Sequence, residues 1–219
     1  RFFYLWASMA TAPLDILKAY WGYSQFREKQ EDIIQSVLEG YDTMALLPTG
    51  GGKSICYQVP GLAQTGLCLV ISPLIALMKD QVADLQEKNI KATAVYSGLT
   101  HKEIDKLLDQ CVAGHFKFLY VSPERLQTTL FQERLKQMTV NLLAVDEAHC
   151  ISEWGYDFRP AYRNIADIRP MVPSAPVLAL TATATATVRQ DNFEQLNFQR
   201  VQHYNKSFER HYLDYVLNQ

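Results

Sequence analysis

The stretch Leu46-Leu47-Pro48-Thr49-Gly50-Gly51-Gly52-Lys53-Ser54 decides the fold, because three glycines join an apolar segment to one of helical pattern. Glycine has no Cβ, so the backbone of such a turn can adopt positive φ and approach a bulky anion. Successive N–H groups and the N-terminus of the next helix attract negative charge. The stretch predicts a phosphate-binding loop over residues 49–54. Leu47 stands where the simplest form of the motif has glycine, and a glycine-rich turn with an exposed lysine is the alternative.

Two acidic residues complete the predicted chemistry. In a phosphate-binding loop, Lys53 reaches the β- and γ-phosphates and the Ser54 hydroxyl ligates Mg²⁺. Asp146-Glu147-Ala148-His149 follows the apolar segment 142–145, where Asp146 can hold the same Mg²⁺ and Glu147 can act on the attacking water. The predicted catalytic residues are therefore Lys53, Asp146 and Glu147, with ATP and Mg²⁺ as cofactors. Two solvated carboxylates at a strand end are the alternative.

Apolar segments alternate with segments of helical period along the chain. The continuous run 67–72 is typical of a strand that is buried on both faces. This alternation predicts an α/β fold with a mostly parallel sheet flanked by helices. The carboxyl ends of parallel strands meet at one edge, so the phosphate loop, Asp146 and Thr181 should lie together. Strands are predicted at 43–47, 67–72, 92–96, 118–121, 142–145, 177–180 and 201–204; helices are predicted at 14–21, 27–39, 74–88 and 100–111, from 122, and through 188–196.

Composition sets limits on the class of protein. The 219 residues are 48% hydrophobic and carry a net charge of −2, which predicts a globular chain whose nucleic-acid contacts must be local patches. No apolar run approaches the length of a membrane span, so no membrane partner is expected. The four cysteines form no Cys-x-x-Cys pair, which predicts small buried thiols rather than a zinc site or a disulfide framework.

Two further motifs give the chain a family resemblance. Leu17-x-x-x-Trp21-Gly22-x-x-x-Phe26-Arg27-x-x-Gln30 precedes the phosphate loop, and the aromatic-rich stretch 150–160 follows the acidic motif. With these motifs, residues 14–208 resemble the RecQ family of superfamily 2, DEAH-box helicases. The resemblance implies a RecA-like P-loop domain built as a three-layer sandwich. It also implies that Tyr23, Arg27 and Gln30 bind the adenine end of ATP, whereas an aromatic helix end with an exposed Gln30 is the alternative.

The same resemblance implies residues that bind single-stranded or forked DNA and couple it to ATP. Helix N-termini after Ser-Pro can donate N–H groups to phosphates, and exposed rings can stack on bases. Helix capping by the two serines, and aromatic side chains that only anchor the loop, are the alternatives. Tyr156 stands where many family members have His. The implied residues are Ser72, Pro73, Ser122, Pro123, His149, Trp154, Phe158, Arg159 and Thr181.

The resemblance further implies an ATP-driven motor that unwinds DNA in the 3′-to-5′ direction. Residues 1–8 are interpreted as a remnant before a natural start at Met9, residues 9–206 as the first RecA-like domain, and residues 207–219 as the linker to a second, missing C-terminal helicase domain. Without that domain, weak or absent turnover is expected. A nucleotide- or DNA-binding module without turnover and an RNA helicase are the alternatives. The expected location is the cytoplasm or nucleoid in a bacterium, or the nucleus in a eukaryote.

Overall fold

A computed structural model of the chain describes residues 12–155 and 157–205. The interpretations of residues 1–8, Met9, Tyr156 and residues 207–219 lie outside the described residues. In the described part, no helix is both long and apolar enough to cross a membrane.

One parallel sheet organises the described residues. Its strands run in the order β3-β4-β2-β5-β6-β1-β7, and every pairing is parallel. All the predicted strands are therefore confirmed, including the exposed edge strand near residue 201. The strands are β1 Asp42–Leu46, β2 Leu67–Ile71, β3 Ala92–Val95, β4 Phe118–Val121, β5 Val140–Val145, β6 Val177–Thr181 and β7 Val201–Asn205.

Helices cover both faces of this sheet. They are α1 Pro13–Trp21, α2 Gln30–Leu38, α3 Ile55–Ala63, α4 Ile75–Glu87, α5 His101–Val112, α6 Thr129–Leu135, α7 Ile165–Ile168 and α8 Ala186–Gln195. Short 3-10 helices lie at Pro123–Gln127, Ala148–Ile151, Pro160–Asn164 and Arg169–Met171.

Alternation along the central strand β2 separates two apolar cores. Leu67, Leu69 and Ile71 belong to the core under α5, α6 and α7, whereas Cys68 and Val70 belong to the core under α2, α3 and α4. Successive strand side chains point to opposite faces, so a fully apolar strand must be covered twice. The result is the predicted three-layer α/β sandwich. The cysteines of the described chain are all buried, as expected.

Local signals explain most helix bounds. Thr100 and Glu103 form the expected capping box at the start of α5, with Glu103 N donating to Thr100 Oγ1 at 3.3 Å and Thr100 N to Glu103 Oε2 at 2.8 Å. The helix predicted from residue 27 begins only at Gln30, because Lys29 at its N-cap has a φ of 71°. The helix predicted from Ser122-Pro123 is a 3-10 turn before α6.

Asp42 is a buried structural carboxylate at the start of β1. It accepts hydrogen bonds from Val177 N and Gln199 N, both at 2.8 Å, and pairs with Arg169 Nη2. These bonds join the start of β1 to the segments that enter β6 and β7. These partners satisfy the buried carboxylate, which has a structural role.

Candidate functional site

Five strand ends at one edge of the sheet carry most of the predicted site residues. Across the sheet, Ser122 follows β4, Ser72 follows β2 and Asp146 follows β5. The next two strands are β6, which ends at Thr181, and β1, which the phosphate loop follows. The predicted DNA-contact serines therefore lie on one side of Asp146, and the phosphate loop on the other. Asp146 and Thr181 occupy the space between them, which suits a coupling role.

A cleft of about 760 Å³ lies beside the phosphate loop. Its volume falls in the range of about 300–1,000 Å³ that is typical of small-molecule sites. Among the predicted nucleotide residues, only Gly51 is outside its lining. Tyr23 is 52% exposed, so its ring is available for stacking. The cleft brings together the predicted residues Tyr23, Arg27, Gln30, Thr49, Gly50, Gly52, Lys53, Ser54, Asp146 and Glu147.

The phosphate loop has the backbone expected for its glycines. Gly50 and Gly52 have φ values of 75° and 74°, in the left-handed region that other residues adopt only at a cost. Ser54 occupies the N-cap position of α3, so the helix begins one residue after the pair Lys53-Ser54. The N-terminus of α3 is thus directed at the cleft, where it favours an anion.

Gln30 and Arg27 hold this loop from the side of the predicted adenine site. Gln30 Nε2 donates to Gly52 O at 3.0 Å, its Oε1 accepts from Arg27 N at 2.8 Å, and Arg27 Nη1 donates to Gly50 O at 2.6 Å. Gln30 is buried, so the alternative of an exposed glutamine is wrong. Both ends of its amide are engaged, and adenine would have to share or replace the bond to Gly52.

The acidic pair faces Lys53 across the cleft. Lys53 Nζ lies 3.5 Å from Glu147 Oε1. Burial, with the charge of Glu147 adding to it, raises the pKa of Asp146 to about 6, although Lys53 acts in the opposite direction. The hydrogen bond with His149, and then Lys53, lower the pKa of Glu147. At neutral pH Glu147 is therefore an ionised acceptor, whereas burial and the charge of Glu147 outweigh the effect of Lys53 on Asp146.

Glu147 has an uncommon backbone conformation, with φ 49° and ψ 47°. Such a conformation costs on the order of 1–3 kcal/mol in a residue that has a Cβ, and it clusters at functional sites. Tyr162 OH donates a hydrogen bond to Asp146 O at 2.8 Å and so stabilises the turn at Asp146-Glu147. No sequence pattern identified Tyr162, which lies sixteen residues after Asp146.

His149 connects the acidic pair to the next strand. Its Nδ1 lies 3.2 Å from Glu147 Oε2 and 2.9 Å from Thr181 Oγ1. The Thr181 hydroxyl donates its proton to Thr183 O at 3.0 Å, so its oxygen is the acceptor in the contact with His149 Nδ1. Both of these contacts are with acceptors, which favours the tautomer that carries its proton on Nδ1. The two residues predicted to couple the site, His149 and Thr181, are thus in direct contact.

The raised pKa of Asp146 makes a prediction about stability. The pKa of Asp146 is about 6 in the folded state, above its value of 3.8 in the unfolded chain. The free energy of unfolding therefore falls as the pH rises from about 4 through 6. Without nucleotide and Mg²⁺, Asp146→Asn is expected to raise the free energy of unfolding by about 1–2 kcal/mol at pH 8, after allowance for solvent screening. The gain should shrink towards pH 5. Urea unfolding at both pH values measures it, with the exposed Asp167→Asn as control; an equal gain at both would contradict the assignment.

The side chains of the two Ser-Pro motifs do not cap helices. Among the described residues the hydroxyls of Ser72 and Ser122 have no hydrogen-bond partner, although Ser122 occupies the N-cap position of the 3-10 helix Pro123–Gln127. Their N–H groups donate to Val121 O and Val95 O of the neighbouring strands. The capping alternative is therefore wrong. DNA contact by Ser72, Pro73, Ser122 and Pro123 stays a prediction.

Among the described residues of the stretch after the acidic motif, Trp154 presents its aromatic ring to solvent. Trp154 is 75% exposed, so the alternative of a buried anchor does not apply to it. The guanidinium of Arg163 lies 5.1 Å from the centre of the Phe158 ring. Arg159 links the stretch after the acidic motif to the segment after β2. It pairs with Asp157 at 3.2 Å and donates to Pro73 O at 3.3 Å.

Comparisons with known proteins agree with this geometry. Residues 27–191 match the DEAD/DEAH box helicase family. The chain belongs to that family. It is 46% identical over 204 residues to the ATP-dependent DNA helicase RecQ of Pasteurella multocida, and 47% identical over 191 residues to the probable ATP-dependent DNA helicase RecS of Bacillus subtilis. These matches cover 93% and 86% of this chain, and 32% and 38% of the relatives.

The helicase domain is thus of the RecQ type, as the motifs predicted, and it spans about a third of the length of these relatives. Among solved structures, the helicase domain of Hef from Pyrococcus furiosus is similar, with a TM-score of 0.63 and 21% identity over 83% of this chain and 38% of that one. At that identity the likeness shows the fold alone, a RecA-like helicase domain.

Proposed function

We propose that this helicase domain hydrolyses ATP and that single-stranded DNA controls the hydrolysis. One observation carries the proposal: a single cleft joins the phosphate loop to Asp146 and Glu147, and His149 bonds the same Glu147 to Thr181. The relatives named as DNA helicases support DNA as the substrate. As in the RecQ helicases that the chain resembles, the full-length protein would move 3′ to 5′ and use a second RecA-like domain.

The residues of the cleft divide the chemistry among themselves. Tyr23 stacks on adenine and Gln30 reads its edge, while the loop N–H groups and Lys53 bind the phosphates and stabilise the charge that develops on them. Glu147, which its lowered pKa keeps ionised, orients the attacking water and accepts its proton. His149 holds that carboxylate in place through Nδ1.

Two oxygen donors of the cleft fit Mg²⁺. The hydroxyl of Ser54 and the carboxylate of Asp146 are hard ligands of the kind that Mg²⁺ prefers. The raised pKa of Asp146 indicates a carboxylate that a nearby cation would stabilise in its ionised form. Bound there with ATP, Mg²⁺ would supply positive charge to the phosphates.

A module that binds nucleotide or DNA without turnover is the second candidate for these 219 residues. An arginine finger from outside the phosphate site accelerates other NTPases by about 10³–10⁵. If the domain needs such a finger, this chain should bind ATP with little turnover, whereas the full-length protein should hydrolyse it. ATP binding and ATP hydrolysis, measured on the 219-residue chain and on the full-length protein with and without single-stranded DNA, distinguish the ATPase from the binding module. Absence of ATP binding in both would reject the proposed function.

Trp154 should couple DNA to hydrolysis. Stacking of a base on an exposed aromatic ring contributes about 1–3 kcal/mol, so Trp154→Ala in the full-length protein is expected to raise the DNA concentration for half-maximal ATPase stimulation about 5- to 150-fold. ATP affinity without DNA should not change. The exposed Tyr20→Ala on α1 is the matched control. An unchanged DNA response in Trp154→Ala would reject the coupling role.

A further inference from the structure

A cluster of mixed ligand atoms lies next to the acidic motif, outside the nucleotide cleft. It consists of His149, Cys150 and Asp157, and one ligand atom from each lies within 4.8 Å of the other two. Cys150 Sγ is 3.7 Å from His149 Nε2 and 3.8 Å from Asp157 Oδ2. Sequence reasoning missed the cluster because its cysteine has no Cys-x-x-Cys partner.

We propose that His149 Nε2, Cys150 Sγ and the Asp157 carboxylate bind Zn²⁺ or another thiophilic divalent cation. Tetrahedral zinc with ordinary bond lengths places sulfur about 3.6 Å from a nitrogen or oxygen ligand. The two measured separations are close to that value. Three protein ligands and a water complete a common zinc coordination.

The surroundings of His149 prepare it for this role. Its Nδ1 faces two acceptors, the carboxylate of Glu147 and the hydroxyl of Thr181, and its Nε2 is on the side of Cys150. A histidine that binds a metal usually donates its other ring N–H to a carboxylate in this way. The same bond that positions Glu147 for hydrolysis therefore also fixes the tautomer that a metal requires.

Access and selectivity follow from the three side chains. His149 and Cys150 are buried, whereas the Asp157 side chain is 46% exposed and gives an ion a route from solvent. Thiolate and imidazole ligands favour zinc over magnesium, so excess Mg²⁺ should not compete. Binding releases the thiol proton to solvent and forms the metal–sulfur bond, with no change of oxidation state.

Arg159 is the main competitor for the site. Its Nε and Nη2 both lie 3.2 Å from Asp157 Oδ2. A bound cation would take over that carboxylate and release Arg159, which also reaches Pro73 O. The ion would then join the stretch after the acidic motif to His149. Metal binding itself does not depend on the proposed ATPase function.

Titration of the 219-residue chain with Co²⁺, in excess Mg²⁺ and without nucleotide, tests the site. The wild type is expected to develop a thiolate-to-cobalt charge-transfer band at one equivalent, and Zn²⁺ should abolish it by displacement. Cys150→Ser should lack the band, and Asp157→Asn, at a partly exposed position, should weaken Co²⁺ binding at least about tenfold. The buried Cys111→Ser should behave as wild type. A wild type without the band, or a band that survives in Cys150→Ser, would overturn the proposal.

Discussion

Lys53→Ala in the full-length protein is expected to reduce the ATPase rate by at least about 100-fold and to abolish DNA unwinding with it, because the side chain stabilises charge on the phosphates in the transition state. Lys53 Nζ is held at the cleft by Glu147 at 3.5 Å and lies at the N-terminus of α3, where no other described lysine lines the cleft. Steady-state phosphate release, at saturating ATP and single-stranded DNA, measures the loss.

A lysine at the other end of the sheet provides the matched control for Lys53. Lys91 is exposed just before β3, at the amino ends of the strands. Lys91→Ala should leave ATPase and unwinding at wild-type rates. Near-normal turnover in Lys53→Ala would contradict the assignment of the phosphate loop.

Glu147→Gln should separate ATP binding from ATP cleavage. Loss of a positioned general base lowers the rate of the chemical step by about 10²–10⁴, whereas the amide keeps the shape of the side chain. ATP affinity is expected to stay near the wild-type value, because Lys53 and the loop N–H groups are retained. Single-turnover hydrolysis and equilibrium binding of ATP, measured on the same full-length variant, give the two quantities.

Exposed Glu133 on α6 is the control for Glu147, since Glu133→Gln makes the same change of charge away from the cleft. It should hydrolyse ATP as the wild type does. If Glu147→Gln lost ATP affinity in proportion to its rate, the residue would be a binding group and not the base.

Much of the fold was predictable because its signals are local. The glycines at 50–52, the fully apolar strand at 67–71 and the capping box at Thr100 each specify a backbone conformation with short-range residues. The convergence of Asp146, Thr181 and the phosphate loop followed from parallel topology, since carboxyl ends of parallel strands share an edge.

Side-chain partners across the fold were not predictable in the same way. Gln30 bonds Gly52 O, twenty-two residues away, and this bond depends on how α2 packs beside the phosphate loop. The contact of Cys150 with Asp157 depends on an irregular turn, which no periodic pattern of apolar residues in the sequence predicts. The alternative that the Ser72 side chain caps a helix was wrong because α4 begins at Ile75, with Leu74 at its N-cap.

In the proposed function, single-stranded DNA controls ATP turnover in this cleft through the stretch from Asp146 to Arg159. Steady-state ATP hydrolysis by the full-length protein, measured side by side with a DNA oligonucleotide, the RNA of the same sequence and no nucleic acid, tests it most directly. The account predicts strong stimulation by DNA and turnover near the unstimulated rate with RNA. Equal stimulation by both, or by neither, would contradict it.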